Sequence, residues 1–356
     1  MYFDNFIDAA HKSINLTTES NKASVSKILH LKKEPSPNNI ENFVEISKKS
    51  SFSGLIAGVD SGFVSKRMSF LDLVLIRTSG VIFNFKNSVL ETAEYFPTIN
   101  IMPEPILLKN GLEKDEEQQS VSLERLKKEV SLSIEIIKKY KPKYFFIDGS
   151  IVPQYQDKPR ADSFLTSDYE SIISLFEKLY LTAEDNSTTL ISTIEDSRGN
   201  RFKQILSDYL ISKNVAVNLS NSADSSLLDY FLLKGERTFS FSYTKNISQH
   251  PVLKDYSPEW SKSIYTFYVK PSEFDKPLRV EFVCKDPSKL KEISQQISSI
   301  VYNLSSLYKE YAYPSILIEA DMRARLNERD INLVYEKLID KLGPKMLMRR
   351  NSRPFN

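Results

Sequence analysis

Apolar positions recur at helical spacing from residue 1 to about 31, and the pattern lapses over Lys32 to Asn39, where KKEPSPNN carries two prolines and reads as a linker. Beyond it, FSGLIAGVDSG is a short apolar run closed by a glycine turn. SFLDLVLIRTSG and VIFNFKNS follow, rich in Val, Ile and Phe, so the pattern predicts three antiparallel strands in succession. After a long polar insertion, Leu123, Leu126, Val130, Ile134 and Ile137 form one apolar stripe on a helix, and KPKYFFIDGS has the continuous apolar character of a strand covered on both faces. The alternation repeats with a helix over Ser167 to Leu181, the strand TTLISTIEDS and a helix from Arg201 to Ser212. FSFSYT, SIYTFYVKP and LRVEFVCK then read as strands, Lys289 to Tyr308 as a helix, and Ile316 to Leu342 as a helical C-terminal region. Three strands followed by helix–strand pairs predict an α/β fold, a mixed sheet with helices on both faces. The expected organisation is an N-terminal helical arm and linker over residues 1–49, a main domain over 50–342 and a basic tail over 343–356.

Composition sharpens the picture by exclusion. At 356 residues with 41% hydrophobic content, the chain can fill a sizeable core. No run of about 18 uncharged apolar residues occurs, and the N-terminus MYFDNFIDAAHKSINL lacks the apolar stretch of a signal peptide, so a soluble cytoplasmic protein is expected. The single cysteine, Cys284, excludes an internal disulfide and reads as a packed strand residue. His11, His30 and His250 stand in no metal-ligand spacing, which sets zinc and histidine-triad chemistry aside. No Walker A sequence or internal repeat is present. A net charge of +2 does not by itself argue for nucleic acid. The tail KLGPKMLMRRNSRPFN, with Lys341, Lys345, Arg349, Arg350 and Arg353 and no acid, has the composition to touch phosphates or to remain a solvated end.

Two strands end in an aspartate followed by small residues, GVDSG at Asp60 and FIDGS at Asp148. Either motif alone reads as an ordinary turn. Together, with the first opening a three-strand meander, they have the layout of the ribonuclease H-like fold, whose carboxylates hold divalent ions across a scissile phosphate. Hard oxygen donors suit Mg²⁺ or Mn²⁺. On the intervening helix, Glu129 lies about 100° from the centre of the apolar stripe, nearer the buried seam than Glu124 or Glu135 on the other flank. It also has a plain reading as the solvated i,i+4 partner of Arg125.

The chain resembles the NurA nuclease family at this point. The resemblance rests on the order of GVDSG at Asp60, RLKKE at Glu129, FIDGS at Asp148, FYVKP at Tyr268 to Pro271, RVEF at Arg279 to Phe282 and YPSILIEAD at Tyr313 to Asp321. It spans about residues 50 to 342. It implies a ribonuclease H-like fold, a metal-dependent nuclease acting on single-stranded DNA and DNA ends with a two-metal mechanism, and Asp60, Glu129 and Asp148 as ligands. Tyr313 is implied as a further site residue. The family's histidine position is filled here by Asp321, which retains hard-oxygen ligation but adds a negative charge. The resemblance further implies a homodimer, a HerA-type hexameric ATPase as partner and a role in 5′-end resection for recombinational repair. A catalytically inactive DNA- or partner-binding subunit is the alternative.

Other residues carry plainer expectations. Glu195 and Asp196 stand where relatives often have lysine, and Asp196 reads as a helix cap or a further ligand. Tyr268 and Lys270 read as channel lining or packing, Glu281 as a charge partner, and Trp260 as a base-stacking or loop-pinning residue.

Overall fold

The computed structural model describes residues 2–47, 49–68, 72–108, 114–215, 219 and 223–343. In chain order its elements are α1 (Tyr2–Ile28), β1 (Val44–Ile46), β2 (Gly54–Arg67), β3 (Asp72–Lys86), β4 (Val89–Phe96), β5 (Glu104–Leu107), α2 (Lys114–Tyr140), β6 (Tyr144–Asp148), α3 (Thr166–Asp185) and β7 (Thr189–Ile194). They continue with α4 (Arg201–Ser212), α5 (Asp224–Phe231), β8 (Glu236–Thr238), β9 (Phe241–Ser242), α6 (Pro258–Ser261), β10 (Ile264–Val269), β11 (Leu278–Val283), α7 (Leu290–Ser305), α8 (Ser315–Ala324) and α9 (Glu328–Leu342). Among the described residues, no helix is long and apolar enough to cross a membrane. The basic tail expected to touch phosphates lies, beyond Gly343, outside the described residues.

The chain forms two compact units. One comprises Met1–Ser51, Ile191–Ile247 and Ser261–Ser315, the other Phe52–Leu190, Ser248–Trp260 and Ile316–Asn356. In the first, β1, β8, β10, β11 and the end of β7 pair in that order, antiparallel throughout. Val25 and Ile28 at the end of α1 join Phe202, Leu206, Leu227, Phe231 and Tyr268 in one apolar core, so the helical arm is anchored by its last turns. Burying each such side chain contributes roughly 1.5–3 kcal/mol.

The second unit carries the antiparallel meander β2–β3–β4, with β6 added parallel to β2, which is the ribonuclease H-like arrangement of these strands. The meander's boundaries differ from those the sequence predicts. β2 runs straight through Gly62 to Arg67, and β3 runs through Thr78, Ser79 and Gly80, so neither glycine is a turn and Asp60 lies mid-strand. The third strand is the polar ETAEYF segment rather than VIFNFKNS. Close packing explains both glycines. A Cβ on Gly62 would sit 2.5 Å from the Ala324 carbonyl oxygen of α8, and one on Gly80 would collide with the Ile136 side chain of α2. Because successive strand residues face opposite sides, Gly58 and Gly62 seat α8 on one face, and Ser61 meets α2 on the other. The sheet therefore has a helix on each face at the level of Asp60.

Candidate metal centre

The parallel register pairs Ile56 with Tyr144 and Val59 with Ile147, so one step further Asp60 and Asp148 stand at adjacent positions of adjacent strands. Neighbouring strands are about 4.8 Å apart, which sets the two carboxylates side by side. Beyond Asp148 the chain leaves the sheet through Gly149, whose φ of +82° is a conformation that glycine adopts without a Cβ penalty. This turn is the one that FIDGS predicts. Asp60 is 6% exposed, and Ser61 donates its main-chain N–H to Asp60 Oδ1 at 2.7 Å.

Glu129 comes from α2 and is 3% exposed. Ser61 Oγ donates to its Oε2 at 2.7 Å, and Arg125 Nη1 donates to the same atom at 3.0 Å. The Arg125 partnership expected of a surface pair is thus present, but with the carboxylate buried and the arginine partly exposed. Asp321 lies on α8 and is half-exposed, paired one turn on with Arg325 at 3.0 Å.

Electrostatics link the four acids. Burial first, and then the charges of Asp148, Glu129 and Asp321, push the Asp60 carboxyl up to about 8 against the single opposing hydrogen bond from Ser61. Burial also raises Glu129, opposed by the Arg125 charge and the Ser61 hydroxyl, with Asp148 adding to the rise. As placed, no three acid, histidine or cysteine side chains among the described residues close around a single point tightly enough to hold an ion. The donor set nevertheless fits a hard divalent cation. Carboxylate oxygens whose burial and mutual repulsion together force a proton onto one of them are stabilised when a cation replaces that proton.

Tyr313 belongs to the first unit, where it is buried and its hydroxyl donates to the Thr193 carbonyl at 2.9 Å. Other expectations resolve there too. Glu281 is a charge partner, fully buried and 2.7 Å from Arg279 Nε, while Tyr268 is core and Lys270 pairs with Asp229 at 2.7 Å. Asp196 does not cap α4. The cap is Asp224, missed in the sequence, whose oxygens accept the N–H groups of Phe202 and Lys203 at 2.8 and 3.0 Å from across the chain. In the second unit, Trp260 stands in the short α6 rather than a loop, and it is buried with its ring 5.4 Å from the Tyr180 ring, a packing role. Cys284 is buried, as a packing residue would be.

Residues 54–326 match the family described as NurA domain. Among solved structures, the chain is similar to the NurA nuclease from Sulfolobus solfataricus, with 17% identity, 96% of this chain and 98% of that chain covered, and a TM-score of 0.57. A NurA structure with manganese aligns at 11% identity over 94% and 98% of the two chains, with a TM-score of 0.49. No curated protein matches the chain.

Proposed function

The chain belongs to the NurA domain family, and from that premise we propose that it is a metal-dependent nuclease that hydrolyses DNA phosphodiesters at the carboxylate cluster of β2, α2, β6 and α8. The observation that carries the reading is the Asp60–Asp148 pair, two acids in register on parallel strands, with the Asp60 carboxyl pushed up to about 8 by its burial first and then by the charge of Asp148 and the other acids. An ordinary turn aspartate has no such environment. Asp60 and Asp148 are the principal ligands, with Glu129 and Asp321 completing an all-oxygen set for Mn²⁺ or Mg²⁺ in a two-ion arrangement. When bound, such ions supply Lewis-acid polarisation of the phosphate.

The chain's own residues do the remaining work. Ser61 and Arg125 both hold Glu129 Oε2, which fixes the carboxylate's rotamer and makes Oε1 the oxygen that would ligate an ion. Arg125, bonded to that carboxylate at 3.0 Å, serves to position a phosphate oxygen. Tyr313 acts through main chain, holding the end of β7 by its bond to Thr193. The finer assignment follows the family: single-strand endonuclease and 5′-to-3′ exonuclease action, a homodimer, and end resection alongside a HerA-type ATPase.

The test is cleavage of labelled single-stranded DNA in Mn²⁺, Mg²⁺ and chelator by the parent and Asp148→Asn. Ion-dependent cleavage lost in the variant supports the proposal. Binding without cleavage in any ion would assign the chain to the inactive, binding-subunit reading.

A further inference from the structure

A groove of about 600 Å³ opens between the second half of β2 and the first half of α2, and two of its lining residues, Ser61 and Arg125, bond Glu129. Its strand wall is one face of β2, where Ser61, Phe63, Ser65 and Arg67 alternate with residues turned toward the other side. Its helix wall carries Gln118, Val121, Ser122 and Arg125. One end of the groove is therefore the Ser61–Arg125 pair that grips Glu129. Phe63 is 51% exposed, two residues after the Ser61 that bonds Glu129 and on the same face of the strand.

A phenylalanine held open to solvent on a rigid strand, two residues from a buried serine, has no packing explanation within its own sheet. Its neighbours on the same face, Ser65 and Arg67, are also exposed, whereas Val64 on the opposite face joins the apolar cluster under α9. The groove's volume lies in the range of pockets that enclose a nucleotide-sized ligand. Aromatic faces stack on any base, and hydroxyl and amide groups such as those of Ser65 and Gln118 suit a base edge.

We propose that this groove is a nucleobase subsite, in which Phe63 stacks on the base of the nucleotide adjoining the scissile phosphate while Arg125 meets the phosphate that joins them. The proposal rests on the nuclease reading of the carboxylate site and deepens it by assigning the groove and the residue that receive a base. A base lying in a walled groove is unpaired and unstacked from its neighbours, so the subsite selects single-stranded or frayed DNA over duplex.

The experiment compares the parent with Phe63→Ala and Phe63→Trp on a fluorescein-labelled single-stranded oligonucleotide, and on copies with one abasic residue moved along the strand. Phe63→Ala is expected to raise KM by about tenfold with kcat little changed, the size of one lost base stack. Phe63→Trp is expected to restore it. At one abasic position beside the cut, the parent should bind as weakly as Phe63→Ala and the variant should lose nothing more. A thermal melt of each variant confirms folding, since Phe63 is half-exposed. Equal KM for parent and Phe63→Ala, with cleavage intact, overturns the subsite and leaves the nuclease reading standing. If the parent does not cleave, anisotropy of the same oligonucleotide takes the place of KM. Binding weakened by Phe63→Ala then supports the groove while the nuclease reading fails, and no binding by the parent overturns both.

Discussion

Replacing Asp60 by asparagine should stabilise the metal-free protein while destroying its response to metal. The Asp60 carboxyl titrates at about 8 in the folded chain against 3.8 as an unperturbed side chain. Below about pH 4 both states carry the proton and Asp60 costs nothing. Between about 4 and 8 the unfolded chain ionises while the folded chain retains the proton, so stability falls as pH rises, by about 1.4 kcal/mol for each pH unit. By pH 7 the loss is on the order of 4 kcal/mol, and it levels off above about 8. An asparagine has nearly the same shape and no proton to lose, so the difference between variant and parent should be near zero at pH 4 and grow in the variant's favour toward pH 8. Saturating Mn²⁺ should reverse the order, because a ligand that binds only the folded parent stabilises it by mass action. The assay is thermal unfolding from pH 4 to 9, in chelator and in excess Mn²⁺. A variant less stable than the parent at pH 7 in chelator, or a difference that does not change with pH, would refute the reasoning.

Four further outcomes follow from the same geometry. Asp148→Asn should abolish cleavage and leave DNA affinity within about twofold, checked by single-turnover kinetics and anisotropy; near-normal turnover would return Asp148 to a turn role. Asp321→Ala should weaken Mn²⁺ binding measured by calorimetry, and Asp321→His should retain more activity with Mn²⁺ than with Mg²⁺, which prefers oxygen; unchanged ion affinity in the alanine variant would make Asp321 a partner of Arg325 alone. Gly62→Ala should cost about 1–3 kcal/mol in denaturant titration, because its Cβ meets the Ala324 carbonyl of α8, which is backbone and cannot turn aside. Asp224→Ala should destabilise the first unit by about 2 kcal/mol or more, since it strips two buried N–H groups of α4 of their acceptor; a melt unchanged within error would show that another group replaces it.

The sequence is legible where one element decides its own pattern. The apolar stripe of α2 marks a helix whatever it packs on, and phase within that stripe brings out Glu129, which the structure buries beside Ser61. FIDGS is likewise local, because Gly149 takes the positive φ that ends β6 after Asp148. Gly62 and Gly80 mislead because glycine serves two purposes, a turn or a close approach, and which one applies depends on α8 and α2, elements distant in the chain. β4 carries almost no alternation since nearly all of it is exposed, so its polar sequence reads as an insertion. Asp224 caps α4 from the start of α5, and no pattern near Arg201 announces a cap supplied from beyond the helix's own sequence. Phe63 carries no motif, and its exposure is visible only in the folded strand.

The central claim is that Asp60 and Asp148 together hold the ion on which cleavage depends. An anomalous difference map from crystals grown with Mn²⁺ tests it directly. The account predicts a peak with carboxylate oxygens of both aspartates about 2.0–2.6 Å away, lost in Asp148→Asn crystals. A Mn²⁺ peak held elsewhere, with Asp60 and Asp148 making no contact to it, would contradict the account.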